Sequence, residues 1–178
     1  SLFLSHLDNS RRLFLEARLH QDLRAAADIV TRDLRRAGHW ISSVQGITGN
    51  TSNPNRLVSS TSDTVTYQLD TPTATGQQVI FSLADGKIRL KLGSSNNQDI
   101  TDPQVMTVTK FAITPQSNNV DLSNLCATPC TGASCPSIVV RRYDIAISAQ
   151  SATDNRITRQ LNTSVRVRND AISGSCPT

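Results

Sequence analysis

The chain is poor in aromatic residues, which make up 4% of its 178 positions, with a single Trp. That scarcity leaves the core to aliphatic side chains and removes most of the flat platforms on which unpaired bases stack. No apolar run approaches the roughly 20 residues that a membrane-spanning helix requires. Like charges never gather into a block, so a basic tail for nucleic acid or a membrane surface is not signalled. Catalytic and cofactor motifs are missing too. There is no Gly-rich phosphate loop, no His-Glu metal helix and no spaced Asp pattern for calcium. His6, His20 and His39 lie far apart, on helical sequence or at its end, with no nucleophile or carboxylate arranged around them. The chain therefore reads as a non-enzyme that holds no cofactor and no metal.

What the sequence does contain begins with a helix. Leu15, Leu19, Leu23, Ala26, Val30, Leu34 and Ala37 recur at steps of three and four, which is one face of an α-helix. Arg12 with Glu16, Arg18 with Asp22, and Asp28 with both Arg24 and Arg32 stand four apart and suit modest surface pairs. Gly38 supplies the left-handed stop, with Arg35 and Arg36 at the negative end of the helix dipole. The spacing predicts one helix from about Leu4 to Ala37, about 50 Å long. Leu19, Leu23, Ala26, Val30 and Leu34 form its packing face, and the first two turns project free.

After Trp40 the period changes from helical to alternating. Val65, Tyr67 and Leu69, then Val79, Phe81 and Leu83, then Ile88, Leu90 and Leu92 describe short strands, the last two joined across Asp85-Gly86. Longer candidates follow at Val105 to Thr114, Ile138 to Ser148 and Arg156 to Arg168. Ser42 to Asn55, Gly93 to Pro103 and Pro115 to Cys135 are rich in Ser, Asn, Gly and Pro and read as loops. The expected fold is α+β: residues 1–38 form a long amphipathic helix that packs on one antiparallel β-sheet built from residues 39–178, all in a single domain.

Cys126, Cys130, Cys135 and Cys176 form an even set in loop-like sequence, which reads as two disulfides made in an oxidising compartment. A zinc site is the competing reading, but no two cysteines have the spacing of a zinc knuckle. A loop calcium site from Asp99 and Asp102 is the other metal alternative; Asp in such places usually serves turns. Of the three pairings, Cys135 with Cys176 and Cys126 with Cys130 is favoured. A bond to Cys176 would fasten a C-terminal tail that otherwise frays.

The wording of certain segments carries a resemblance. Gln21 to Gly38, QDLRAAADIVTRDLRRAG, resembles the end of the long first helix in PilW-like minor pilins of the type IV pilus. RQLNTSVRVRND, Arg159 to Asp170, is similar to that family's final strand. LADGKIRLKL and DITDPQVMTVTKFAI are similar to its middle hairpin and the stretch after it. The chain departs from the family in lacking the basic leader and hydrophobic segment of a prepilin, and the apolar start with Leu2, Phe3, Leu4, Leu7 and Phe14 reads as the lower end of a longer hydrophobic helix.

The resemblance implies a type IV pilin-like fold and a structural subunit that helps initiate or cap a pilus by packing its helix and head against other pilins. It further implies partners among other minor pilins, the major pilin and a tip adhesin. Before assembly the subunit would be anchored in the inner membrane and face the periplasm, and afterwards it would be extracellular, in a Gram-negative bacterium. The rival within the superfamily is a type II secretion pseudopilin of the GspJ kind. From a different class comes a minor pilin that captures DNA, through a basic stripe of Arg141, Arg142, Arg156, Arg159, Arg166 and Arg168. The competing view of those arginines is a solvated strand face flanked by Asp144, Asp154 and Asp170.

Overall fold

The computed structural model describes residues 2–44, 53–55, 58–132 and 134–177, and the side chains of residues 2–5 and 171–173 are not among those described. Most of the expected 42–55 loop and the side chains of Leu2, Phe3 and Leu4 thus lie outside the described residues.

Helix α1 runs Leu2–Leu34. The helix stops three residues short of the expected Ala37, and a turn over residues 35–38 leads to Gly38 at φ +74°, a conformation with no steric cost for glycine. A Cβ at Gly38 would also come within 2.9 Å of the Arg141 guanidinium and 3.3 Å of the Asn55 carbonyl. The carbonyls left open at the helix end are met from the far end of the chain. The Arg168 N–H donates to the Arg35 carbonyl at 3.0 Å, and Asn169 Nδ2 donates to that of Ala37 at 3.2 Å.

Strands β1 (Val58–Ser60), β2 (Thr64–Thr71), β3 (Ala74–Ala84), β4 (Lys87–Leu92) and β5 (Gln98–Asp99) form a five-stranded antiparallel meander in chain order. Asp85 and Gly86, at φ 51° and 69°, give β3 and β4 their tight turn, as expected for two positive-φ central residues. A second antiparallel sheet holds β6 (Met106–Asp121), β7 (Ser137–Ser151) and β8 (Thr158–Arg166), while β9 (Ala171–Ser173) pairs with the first residues of β7.

The expectation of an α+β fold with one sheet under one helix is corrected here. Strands make up 44% of the described residues and divide between two antiparallel sheets. The result is a mostly β architecture with one N-terminal helix, and not clearly that of a typical type IV pilin. Alternation shows which side chains turn inward, but it does not say which strands are neighbours. The partition follows from β6, which faces the strands of the first sheet while pairing, among the described residues, only with β7. The β3–β4 turn docks on β6, where the Val108 N–H donates to the Gly86 carbonyl at 2.8 Å. The register of β6 shifts between Val108 and Lys110, a bulge of the kind that bends a strand.

One core serves all the layers. Leu19, Leu23, Val30 and Leu34 of α1 are fully buried in the same cluster as Val65, Tyr67 and Phe81 from the first sheet and Phe111, Ile145, Ile147 and Val165 from the second. Ala26 is buried as well. The helix lies on β7 and β8. Tyr67 brings its hydroxyl inside without a hydrogen-bond partner among the described residues, and burial pushes its pKa up.

A polar knot fixes the chain as it leaves the helix. The carboxylate of Asp70 on β2 accepts from the Gly76 N–H (2.8 Å), Asn55 Nδ2 (2.8 Å) and the Ile41 N–H (3.0 Å). His39 Nδ1 donates to the Asp70 carbonyl at 3.0 Å, and the Asp70 N–H donates to the His39 carbonyl at 2.9 Å. The donors, led by the Gly76 N–H, hold the Asp70 pKa below the usual carboxylate range.

Two outcomes test this account. Leu23→Ala should cost about 2–5 kcal/mol in urea denaturation, whereas Leu13→Ala, on an exposed part of the helix, should cost almost nothing. Because the folded pKa of Asp70 is depressed, its contribution is present above the ordinary carboxylate pKa and is lost as pH falls through the folded value. Asp70→Asn should therefore melt lower than the parent at pH 7, with the gap closing as the buffer is acidified below about pH 4.

Candidate assembly surface

Two parts of the molecule extend beyond the shared core. The first is the outer half of α1. Residues 6–14 are all exposed, and burial of the stripe begins only at Leu15 and Leu19. Leu7 (51% exposed) and Phe14 (68%) stand seven apart, nearly in line along the helix, with Leu13 (66%) beside them. Large apolar side chains exposed together on this part of the helix form a surface suited to another apolar surface.

The helix leaves the head at an ionic junction. Glu16 accepts from Arg12 Nε at 3.1 Å on its own helix and from Arg159 Nη2 at 2.6 Å on β8. Half-exposed pairs of this kind contribute about 0–1 kcal/mol, so the junction sets direction more than stability. A mixed-charge groove lies alongside, between Asp8, Arg11 and Arg12 of the helix and Asp154 and Arg156 of the β7–β8 turn. Asp154 is bonded to Arg156 at 3.1 Å, and that contact holds its pKa low.

The second part is an arm. Although Pro115 to Cys135 reads as loop from composition, β6 continues to Asp121, paired residue by residue with β7. Two disulfides close the tip, Cys126–Cys176 and Cys130–Cys135, with Cα atoms 5.4 and 5.7 Å apart. The pairing of Cys135 with Cys176 and Cys126 with Cys130 is thereby corrected. The pairing of Ser137 with Ser173 runs the tail antiparallel to β7, and its backbone then passes over Cys135. A Cβ on Gly174 would lie 2.2 Å from the Cys135 carbonyl oxygen, and the Ser175 N–H donates to the Ser134 carbonyl at 3.1 Å. Cys176 is carried past Cys135 to Cys126. The tail is thus held by a strand as well as a disulfide, and the short β9 had no periodic signal from which to be read.

The six arginines considered for a basic stripe do not share a surface. Arg141 is buried beneath Gly38 and donates to the Asn169 carbonyl, and burial lowers its pKa. Arg142 and Arg166 are direct cross-strand neighbours on the outer face, near Asp144 (3.7 Å) and Asp170 (2.7 Å) respectively. Arg156 pairs with Asp154 and Arg159 with Glu16, while Arg168 is exposed just beyond β8. The two carboxylates considered for calcium are separately engaged. Asp99 is bonded to Lys87 and to Arg89 (3.1 Å), and Asp102 accepts from the Gln104 N–H at 2.8 Å in a turn. No cluster of three metal-ligating side chains occurs among the described residues. The signal that reading by residue type missed was parity: alternate positions on one strand face opposite ways.

The two disulfides should differ in weight, because the loops they close differ. Replacing Cys126 and Cys176 together by Ser opens a separation of 50 residues and should cost about 4 kcal/mol by the chain-entropy relation. The same change at Cys130 and Cys135, five apart, should cost about 2 kcal/mol. Chemical denaturation of the two double variants checks the order.

Among the described residues no helix is long and apolar enough to cross a membrane. Neither the curated proteins nor the solved structures contain a match to this chain. The family model for PpdB, prepilin peptidase-dependent protein B, does match, over residues 12–167. That span takes in the buried part of the helix and every strand except β9, and the family's pilin-related character suggests a secreted or periplasmic pilus component. The chain belongs to the prepilin peptidase-dependent protein B family and is a type IV pilin-related protein.

Proposed function

We propose that this protein is a structural minor pilin, similar to PilW, that helps initiate or cap a type IV pilus by packing rather than by catalysis. The observation that carries the reading is the exposed outer half of α1. A pilin-related chain that presents Leu7, Leu13 and Phe14 to solvent has a helix equipped to lie against the helices of neighbouring subunits. In this reading its partners are other minor pilins and the major pilin, with a tip adhesin where one is carried. A hydrophobic extension of the same helix holds the subunit in the inner membrane, head in the periplasm, until assembly carries it outside.

The experiment is a separation of head stability from assembly. Leu13→Asp combined with Phe14→Asp should leave the melting temperature within about 2 °C, since neither side chain belongs to the core, and should reduce surface piliation of the producing cell at least tenfold. Normal piliation with the double variant would remove the helix from the assembly interface. Intact piliation together with a failure of type II secretion would instead move the protein to the pseudopilus of that system.

A further inference from the structure

The arm has an open edge. Along residues 114–121, β6 pairs only with β7 among the described residues, and all of its side chains there are exposed. The phase of the ladder can be read from its end. The Leu122 N–H donates to the Pro136 carbonyl at 2.9 Å, and antiparallel pairs alternate between bonded and non-bonded. Residues 114, 116, 118, 120 and 122 therefore bond inward to β7. The backbone groups of Pro115, Ser117, Asn119 and Asp121 point outward. On the opposite side of β7, Arg141, which lies across from Ser117, receives the Val167 N–H on its carbonyl at 3.0 Å, as this phase requires. Pro115, which has no N–H, occupies an outward position, where proline is tolerated.

Edges of this length are normally blunted by charge. Here the stretch from Gln116 to Val120 carries no charge at all. We propose that this edge pairs with the same edge of a second copy of the chain, antiparallel, so that the two arms form one continuous sheet. The register that sets Asn119 opposite its own counterpart places Ser117 opposite Asp121. It makes about six backbone hydrogen bonds and needs nothing from Pro115. The charge pattern favours this occupant. Asp121, the one ionised side chain of the edge, faces a serine, and no like charges are opposed. Val120, 47% exposed, falls opposite Asn118. Pairing through the arm leaves the outer half of α1 free, so it is independent of the packing role assigned to the helix.

Sedimentation and amide hydrogen exchange over a concentration series test the pairing. The expected result is reversible dimerisation, with the amides of Ser117, Asn119 and Asp121 slowing as concentration rises. Asn119→Pro removes an outward N–H and should weaken the dimer at least tenfold while the protein melts close to the parent temperature. Asn118→Pro removes an inward one and should lower the melting temperature. Should Asn119→Pro fail to fold, Asn119→Lys sets two cations opposite each other and should weaken the dimer equally. A protein that stays monomeric at millimolar concentration would overturn the proposal. So would a dimer that survives both Asn119 variants, or protection of the three amides only when a different pilin is added.

Discussion

The structure depends on covering one apolar stripe. From Leu19 to Leu34 the helix offers a stripe of side chains that are almost completely inaccessible in the folded chain, and at roughly 25 cal/mol per Å² of apolar surface such burial outweighs any single polar contact in the molecule. β7 and β8 supply the cover, and the first sheet closes the same core through Tyr67 and Phe81. Because aromatic residues are few, the core works with Leu, Val and Ile. Packing of this kind tolerates little loss of volume.

Polar interactions then decide direction. The Asp70 knot holds the chain immediately after Gly38 against β2, and the Arg168 and Asn169 donors hold the helix end from the C-terminal side. Segments distant in sequence, around Asp70 and around Arg168, thus meet at one helix terminus. The Glu16 junction with Arg159 marks where the helix departs. What lies beyond these anchors, the outer helix and the disulfide-tipped arm, lacks a core of its own and is available for contacts outside the subunit.

Much of this was legible one residue at a time. The helix face, the Asp85-Gly86 turn and the inward sides of most strands follow from periods of 3.6 and 2. Two features resisted for definite reasons. The arm between Pro115 and Asp121 has no buried face, so it shows no alternation, and its polar composition imitates a loop. The arginines of β7 and β8 looked like one population because proximity along the chain says nothing about partners; Glu16 and Arg159, 143 residues apart, meet only in three dimensions.

By itself the sequence determined which side chains leave water and where the helix must stop, because apolar periodicity and a glycine at positive φ are local constraints. It also determined that four cysteines in polar loops would be oxidised. Tertiary structure decided that the strands divide into two sheets, since β6 can pair with β7 and still face β1–β4. It also decided which cysteines meet. The register of β9 on β7 carries Cys176 beyond Cys135, and strand register is a property of two segments together, never of either one alone.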